Sequence, residues 1–294
     1  MSEIIERGIA QPHQLKVRDT KVQGAEGSLA ARIYSCVPVG SKQDSLIVFF
    51  HGGGFDTGDL NDADEFLNHL AMGNPDQLVL ASSYTLATQK PFPAAVEDAY
   101  AVLTWVKKNK VRLGWSGKQL IVAGIEAGAN LAAVCTLMAR DRGGPDINGQ
   151  ILIMPMLDPG LTTCSMRAMP APELVNVADA CAAAYRGYLP NAADRIHPYA
   201  SPLQSSRLKN LPPALILSAE DDPLRDEAEQ YGTKLINAGV NTTVHRLPPA
   251  PLQEAGARNE CACRGHALGA IGVFLGGLQQ QQAEKSTSGT TSPS

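Results

Sequence analysis

The sequence predicts one α/β domain built on a mostly parallel sheet. Three observations lead there. Short β-rich runs alternate with helical patterns through the later chain, the first two runs lie close enough for an antiparallel hairpin, and 294 residues with 44% apolar and 18% charged side chains suffice for a single large core. The runs, in order, are "HQLKVRD", "SLAARIYSC", "SLIVFFH", "QLVLASSY", "QLIVAG", "QILIMP", "PALILSA" and "NTTVHRL". Beyond the second, the separations are long enough for crossover helices, which parallel strands require.

The first clear helix is "PAAVEDAYAVLTWVKKNK": it opens after Pro93 and closes on Lys107, Lys108 and Lys110, so a proline stands at its start and cations at its negative end. The stretch between "QILIMP" and "PALILSA" exceeds what one crossover needs, so residues 157–208 are expected to form a small helical lid. Met154, Met156, Met166 and Met169 flank it, and either line an adaptable pocket or fill core gaps. The polar, low-complexity tail 281–294 is expected to be disordered, leaving residues 1–280 as one domain.

A net charge of −4 without clustered Lys and Arg provides no field for phosphate backbones, so nucleic acid is not an expected partner. The opening "MSEIIERGIAQPHQ" lacks the apolar core of a signal peptide, and no run approaches the roughly 18 apolar residues of a membrane span. A cytoplasmic protein with no membrane span is the expectation. The six cysteines, Cys36, Cys135, Cys164, Cys181, Cys261 and Cys263, are dispersed, which suits reduced thiols. Cys261, Cys263 and His266 make a C-x-C-x-x-H run, but a fourth ligand is not evident and the spacing is not that of a zinc finger, so no metal is expected.

Two motifs carry chemistry. In "VFFHGGGFDTGD" three glycines follow a buried strand, where backbone without Cβ atoms turns sharply and aims bare N–H groups into a pocket. Such groups stabilise an oxyanion formed during acyl transfer, although a glycine-rich turn without a ligand has the same appearance. In "LIVAGIEAGANLAAVCTLMA" a hydrophobic strand, two glycines and a small-residue helix match the G-x-S-x-G turn that mounts a nucleophilic serine, with Glu126 where the serine would stand.

Together with "YTLATQKPFPAAVEDAYAVLTWV", "PMLDP", "YASPL" and "DDPLRDEAEQY", these motifs give a chain that resembles the hormone-sensitive lipase family of α/β-hydrolases (α/β-hydrolase fold-3) over roughly residues 28–278. The resemblance implies an α/β-hydrolase fold with a mostly parallel eight-stranded sheet, flanking helices and a small lid. It implies a carboxylesterase-like site for a small apolar or acyl-type molecule, no organic cofactor, and allows a homodimer. By position it puts Glu126 at the nucleophile, Asp222 at the acid and His266 at the base, with Gly52, Gly53 and Ala127 offering the oxyanion-hole N–H groups. The departures are specific. G-I-E-A-G replaces the family's usual G-D-S-A-G, "YTLAT" replaces Y-R-L-A-P, and His266 follows an unusually long gap after Leu247, so that His245 is an alternative.

A glutamate cannot run the acyl-serine cycle, so ordinary ester hydrolysis is expected to be absent or very weak. Three readings of Glu126 remain. It attacks an electrophile directly and histidine then activates water against the covalent ester; it serves as a general base; or it is a fixed negative group in a pseudoenzyme that senses a small molecule or another partner. A helix N-terminus and nearby hole donors favour the anion and would fold it into the hole, an arrangement that favours the third reading.

Overall fold

The computed structural model describes residues 14–37, 41–167, 172–249 and 257–288. All eight expected runs form strands: β1 (Lys16–Gln23), β2 (Ser28–Ser35), β3 (Gln43–Phe50), β4 (Gln77–Ser82), β5 (Trp115–Ile125), β6 (Gly149–Ile153), β7 (Ala214–Ala219) and β8 (Thr242–Leu247). They make one sheet ordered β1-β2-β4-β3-β5-β6-β7-β8. The β1–β2 and β2–β4 pairs are antiparallel and the rest parallel, as the close first runs and the long later connections require.

Residues β4, β6 and β7 are buried throughout, because helices cover both faces of the parallel part. Alternation along β3 divides the core. Leu46, Val48 and Phe50 pack into the layer formed with α2 (Ala94–Lys108), α4 (Ala127–Arg142) and α7 (Arg225–Asn237). Ile47 and Phe49 face α1 (Asp64–Gly73), α8 (Ala257–Cys263) and α9 (Gly265–Ser288) on the other side. The edge strand β1 is mostly exposed and carries Lys16, Arg18, Asp19 and Lys21, charges that discourage pairing with another sheet. Two short helices complete the set, α3 (Lys110–Leu113) and α5 (Cys164–Arg167); α2 ends at Lys108, and the chain restarts as α3 after Asn109.

Between β6 and β7 the chain forms α5, then α6 (Pro172–Tyr188) and two short 3-10 turns at Ala192–Ile196 and Pro202–Gln204, within the span expected for the lid. Met154, Met156 and Met166 are buried in the core; Met169 lies outside the described residues.

The tail expectation needs correction. Helix α9 runs on to Ser288, so residues 281–288 are helical rather than disordered, and 289–294 lie outside the described residues. Gln, Ala, Glu and Lys are good helix formers and extend a helix already nucleated, while Leu275 and Leu278 anchor it against the sheet. Among the described residues no single helix is long and apolar enough to cross a membrane; α8 and α9 reach that length only as a pair bent by 62°.

Candidate active site

The strand-to-helix turn at the end of β5 is the first element of the site. Glu126 stands alone between β5 and α4 at φ 55°, ψ −112°, a backbone state that a non-glycine residue holds only when its surroundings enforce it. They do so through three hydrogen bonds. The Glu126 N–H donates to the Ile153 carbonyl at 2.9 Å, and the Glu126 carbonyl accepts from Asn130 and Met156 N–H, each at 3.2 Å. The flanking glycines allow the close packing: a Cβ on Gly128 would lie 2.0 Å from the Phe50 carbonyl oxygen, and one on Gly124 would lie 2.2 Å from the Gly128 backbone.

The glycine turn after β3 forms the second element. His51 is buried and stacked 4.4 Å from Tyr84, whose hydroxyl donates to the His51 and Gly52 carbonyls. Burial lowers the His51 pKa, so its imidazole is held neutral, with Nδ1 2.8 Å from the Gly52 carbonyl. Gly53 takes φ 101°, which carries its N–H toward the elbow. That N–H donates to Glu126 Oε2 at 3.0 Å. A Cβ on Gly52 would sit 3.0 Å from the same oxygen, and Ala127 is fully buried at the start of α4. The three residues expected to form an oxyanion hole therefore gather around residue 126, and the Glu126 carboxylate is folded into that space.

Asp222 follows β7 and is buried, as expected of the acid position. Its Oδ1 accepts from the Leu224 N–H at 2.9 Å, so it also turns the chain into α7. Its charge partner, however, is not a histidine. Arg258, in the first turn of α8, donates Nε to Asp222 Oδ2 at 3.1 Å and Nη2 to Oδ1 at 3.0 Å, while Nη1 lies 3.5 Å from Glu126 Oε1. The three side chains are 14% (Arg258), 16% (Glu126) and 0% (Asp222) exposed, which shields them from screening. Burial by itself would lower the Arg258 pKa, but the Asp222 and Glu126 carboxylates outweigh it and hold the guanidinium above its ordinary value. One cation between two carboxylates leaves a formal local charge of −1.

His266 therefore does not occupy the base position. It is exposed in the first turn of α9 and shares a shallow surface depression with His245 of β8, Leu215 and Val273. Among the described residues neither histidine contacts Glu126 or Asp222. The reason is topological: α8 intervenes after β8, and its first turn presents Arg258 to the site, so the chain has already passed the pocket when it reaches His266. Sequence reading missed Arg258. The available signal was that the resemblance places two carboxylates, Glu126 and Asp222, in one site, where a cation between them offsets their repulsion.

Helix α6 roofs the site with Cys181, Ala184, Tyr185 and Tyr188, and Tyr188 stacks 3.8 Å from Phe55 of the glycine turn. Burial pushes the Cys181 thiol up to about 12, so it is a neutral apolar contact. Beneath this roof lies Glu227, fully buried; its Oε1 accepts from the Leu157 N–H at 2.6 Å and its Oε2 has no partner among the described residues. Burial holds its carboxyl well above the ordinary 4.5, despite the Leu157 N–H pulling the other way. The folded state thus keeps this proton where the unfolded chain has lost it. Its contribution to stability is full below pH 4.5 and declines as pH rises toward the elevated folded value. Thermal melts from pH 5 to 9 should show Glu227→Gln, which mimics the neutral acid, losing part of the wild-type decline with pH; parallel curves would refute a buried neutral Glu227.

An elbow between a parallel strand and a helix, a glycine turn feeding N–H groups to it and an acid after the next-but-one strand define an α/β-hydrolase site. A family model for the alpha/beta hydrolase fold matches residues 47–251, and the chain belongs to that family, in its hormone-sensitive lipase-like branch. The chain is 35% identical over 241 residues to the esterase LipI of Mycobacterium tuberculosis, covering 79% of this chain and 72% of the relative. It is 28% identical over 247 residues to an arylesterase of Saccharolobus solfataricus, covering 84% and 79%. A hyperthermophilic esterase from the archaeon Pyrobaculum calidifontis superposes with a TM-score of 0.80 at 36% identity, over 90% of this chain and 86% of that one. The family match ends at residue 251, before α8 and Arg258.

Proposed function

We propose that this chain is a carboxylesterase-like homologue in which Glu126 replaces the nucleophilic serine, and that its pocket binds a small, neutral acyl-type molecule without turning it over. The observation that carries this reading is the Glu126–Arg258–Asp222 ion cluster, with Glu126 Oε2 on the Gly53 N–H. Acyl transfer through a serine needs a hydroxyl, a base to take its proton and a free donor for the oxyanion. Glu126 supplies no hydroxyl, Arg258 stays charged and accepts no proton, and the Gly53 donor is engaged. Loss of the nucleophile alone typically lowers turnover by about a millionfold.

Direct attack by Glu126 fares no better, because the resulting ester must be hydrolysed by water activated by a base, and Arg258 fills the place of that base. What persists is an apolar cover over the elbow. Phe55, Cys181, Ala184 and Tyr188 form an apolar roof, which suits an acyl chain, while the net negative cluster beneath disfavours a free carboxylate. The purified protein should hydrolyse p-nitrophenyl acetate no faster than Glu126→Gln, and a short neutral acyl ester or amide should raise its melting temperature where the corresponding free acid does not. Wild-type turnover abolished by Glu126→Gln would overturn the proposal and assign the carboxylate a chemical role.

A further inference from the structure

The run Cys261, Cys263 and His266 does not gather in space, but one of its cysteines meets a different pair. Cys263, the last residue of α8, lies against α1, with one ligand atom each from Cys263, Glu65 and His69 within 4.8 Å of one another. Glu65 and His69 are four residues apart on one exposed face of α1. His69 Nδ1 is 2.9 Å from the Glu65 carbonyl oxygen, which can only accept, so Nδ1 is the donor there and Nε2 is the ring nitrogen left to face a ligand. A ring held in that way by its other nitrogen is the usual second contact of a metal-ligating histidine. Among the described residues no donor engages the Glu65 carboxylate.

We propose that Glu65, His69 and Cys263 bind a divalent transition metal of the zinc class, a site separate from the elbow. Thiolate, imidazole and carboxylate together select Zn²⁺ over Mg²⁺ or Ca²⁺. Zinc's bond lengths place tetrahedral ligand atoms about 3.5 Å apart, so the 4.8 Å limit closes by small rotamer changes of two exposed side chains, with water in the fourth position. On binding, the Cys263 S–H proton leaves to solvent as the S–Zn bond forms. The Glu65 and Glu260 carboxylates beside Cys263 attract a dication. A metal there joins α8 to α1, and the helix it pins carries Arg258 in its first turn.

Titrating the full-length, metal-free protein with Co²⁺ tests this through the near-ultraviolet thiolate-to-cobalt charge-transfer band. One equivalent should bind with that band, and Zn²⁺ should displace it and raise the melting temperature. Cys263→Ser should lose the band and the zinc-dependent shift, His69→Ala should weaken binding by about tenfold or more, and Cys261→Ser and His266→Ala should bind as wild type does. Far-ultraviolet circular dichroism verifies that each variant is folded, and His69→Ala, at an exposed position, tests the site independently should Cys263→Ser misfold. No band in the wild type, or a band retained by both Cys263→Ser and His69→Ala, would overturn the assignment.

Discussion

Arg258→Met is expected to destabilise the protein by about 3–5 kcal/mol, the usual cost of removing one partner from a buried ion pair. At this chain length that corresponds to a fall in melting temperature of roughly 10 °C. The size follows from burial. Arg258 is 14% and Asp222 0% exposed, so removing the guanidinium strands Asp222 and Glu126 as unpaired negative charges in a water-poor site. An exposed pair such as Lys118 with Asp44, more than half accessible on both sides, contributes at most about 1 kcal/mol. Asp222→Asn placed in the Arg258→Met background should recover part of the loss, because it deletes the stranded charge while keeping an acceptor for the Leu224 N–H. Urea denaturation of the four proteins of this cycle gives the coupling; losses that add within about 0.5 kcal/mol would show that the two residues do not form the pair described.

Glu126→Ser alone should remain inactive on p-nitrophenyl esters, although it restores a hydroxyl and frees the Gly53 N–H. The missing component is a base, since Arg258 occupies the position beside Asp222 and cannot accept a proton. Truncating it, in Glu126→Ser/Arg258→Ala, opens a hole lined by Asp222 into which free imidazole fits, one nitrogen on the carboxylate and the other toward the new hydroxyl. The double variant should then hydrolyse p-nitrophenyl acetate in a saturable, imidazole-dependent manner, about 10²-fold or more above imidazole with the Glu126→Ser single variant. The added Asp222→Asn change should remove that rate, because the carboxylate orients the base. Equal rates for the single and double variants would show that Arg258 is not what blocks the cycle.

The fold was legible because its signals are local. Each strand is an apolar or alternating run bounded by turn residues, and the separations between runs set parallel against antiparallel pairing. The elbow was legible for the same reason: a Cβ at Gly124 or Gly128 would fall 2.2 or 2.0 Å from neighbouring backbone, and that constraint leaves its mark within five residues of chain. The partner of Asp222 was not, because it is set by where the chain passes after β8. Nothing local in "GARNECACRGH" distinguishes Arg258 from a solvated surface charge, and the resemblance pointed to the next histidine instead. The continuation of α9 through "QQQQAEK" was hidden by low complexity, which reads as disorder even when a buried anchor such as Leu278 nucleates the helix.

Among the described residues Arg258, and neither His245 nor His266, joins residue 126 to Asp222. Intact-mass analysis of Glu126→Ser after incubation with a fluorophosphonate, which labels only serines activated by a base, tests this directly. The predicted result is an unlabelled protein; a single stoichiometric adduct, lost when His266 or His245 is replaced, would mean that a histidine already serves the elbow and would contradict it.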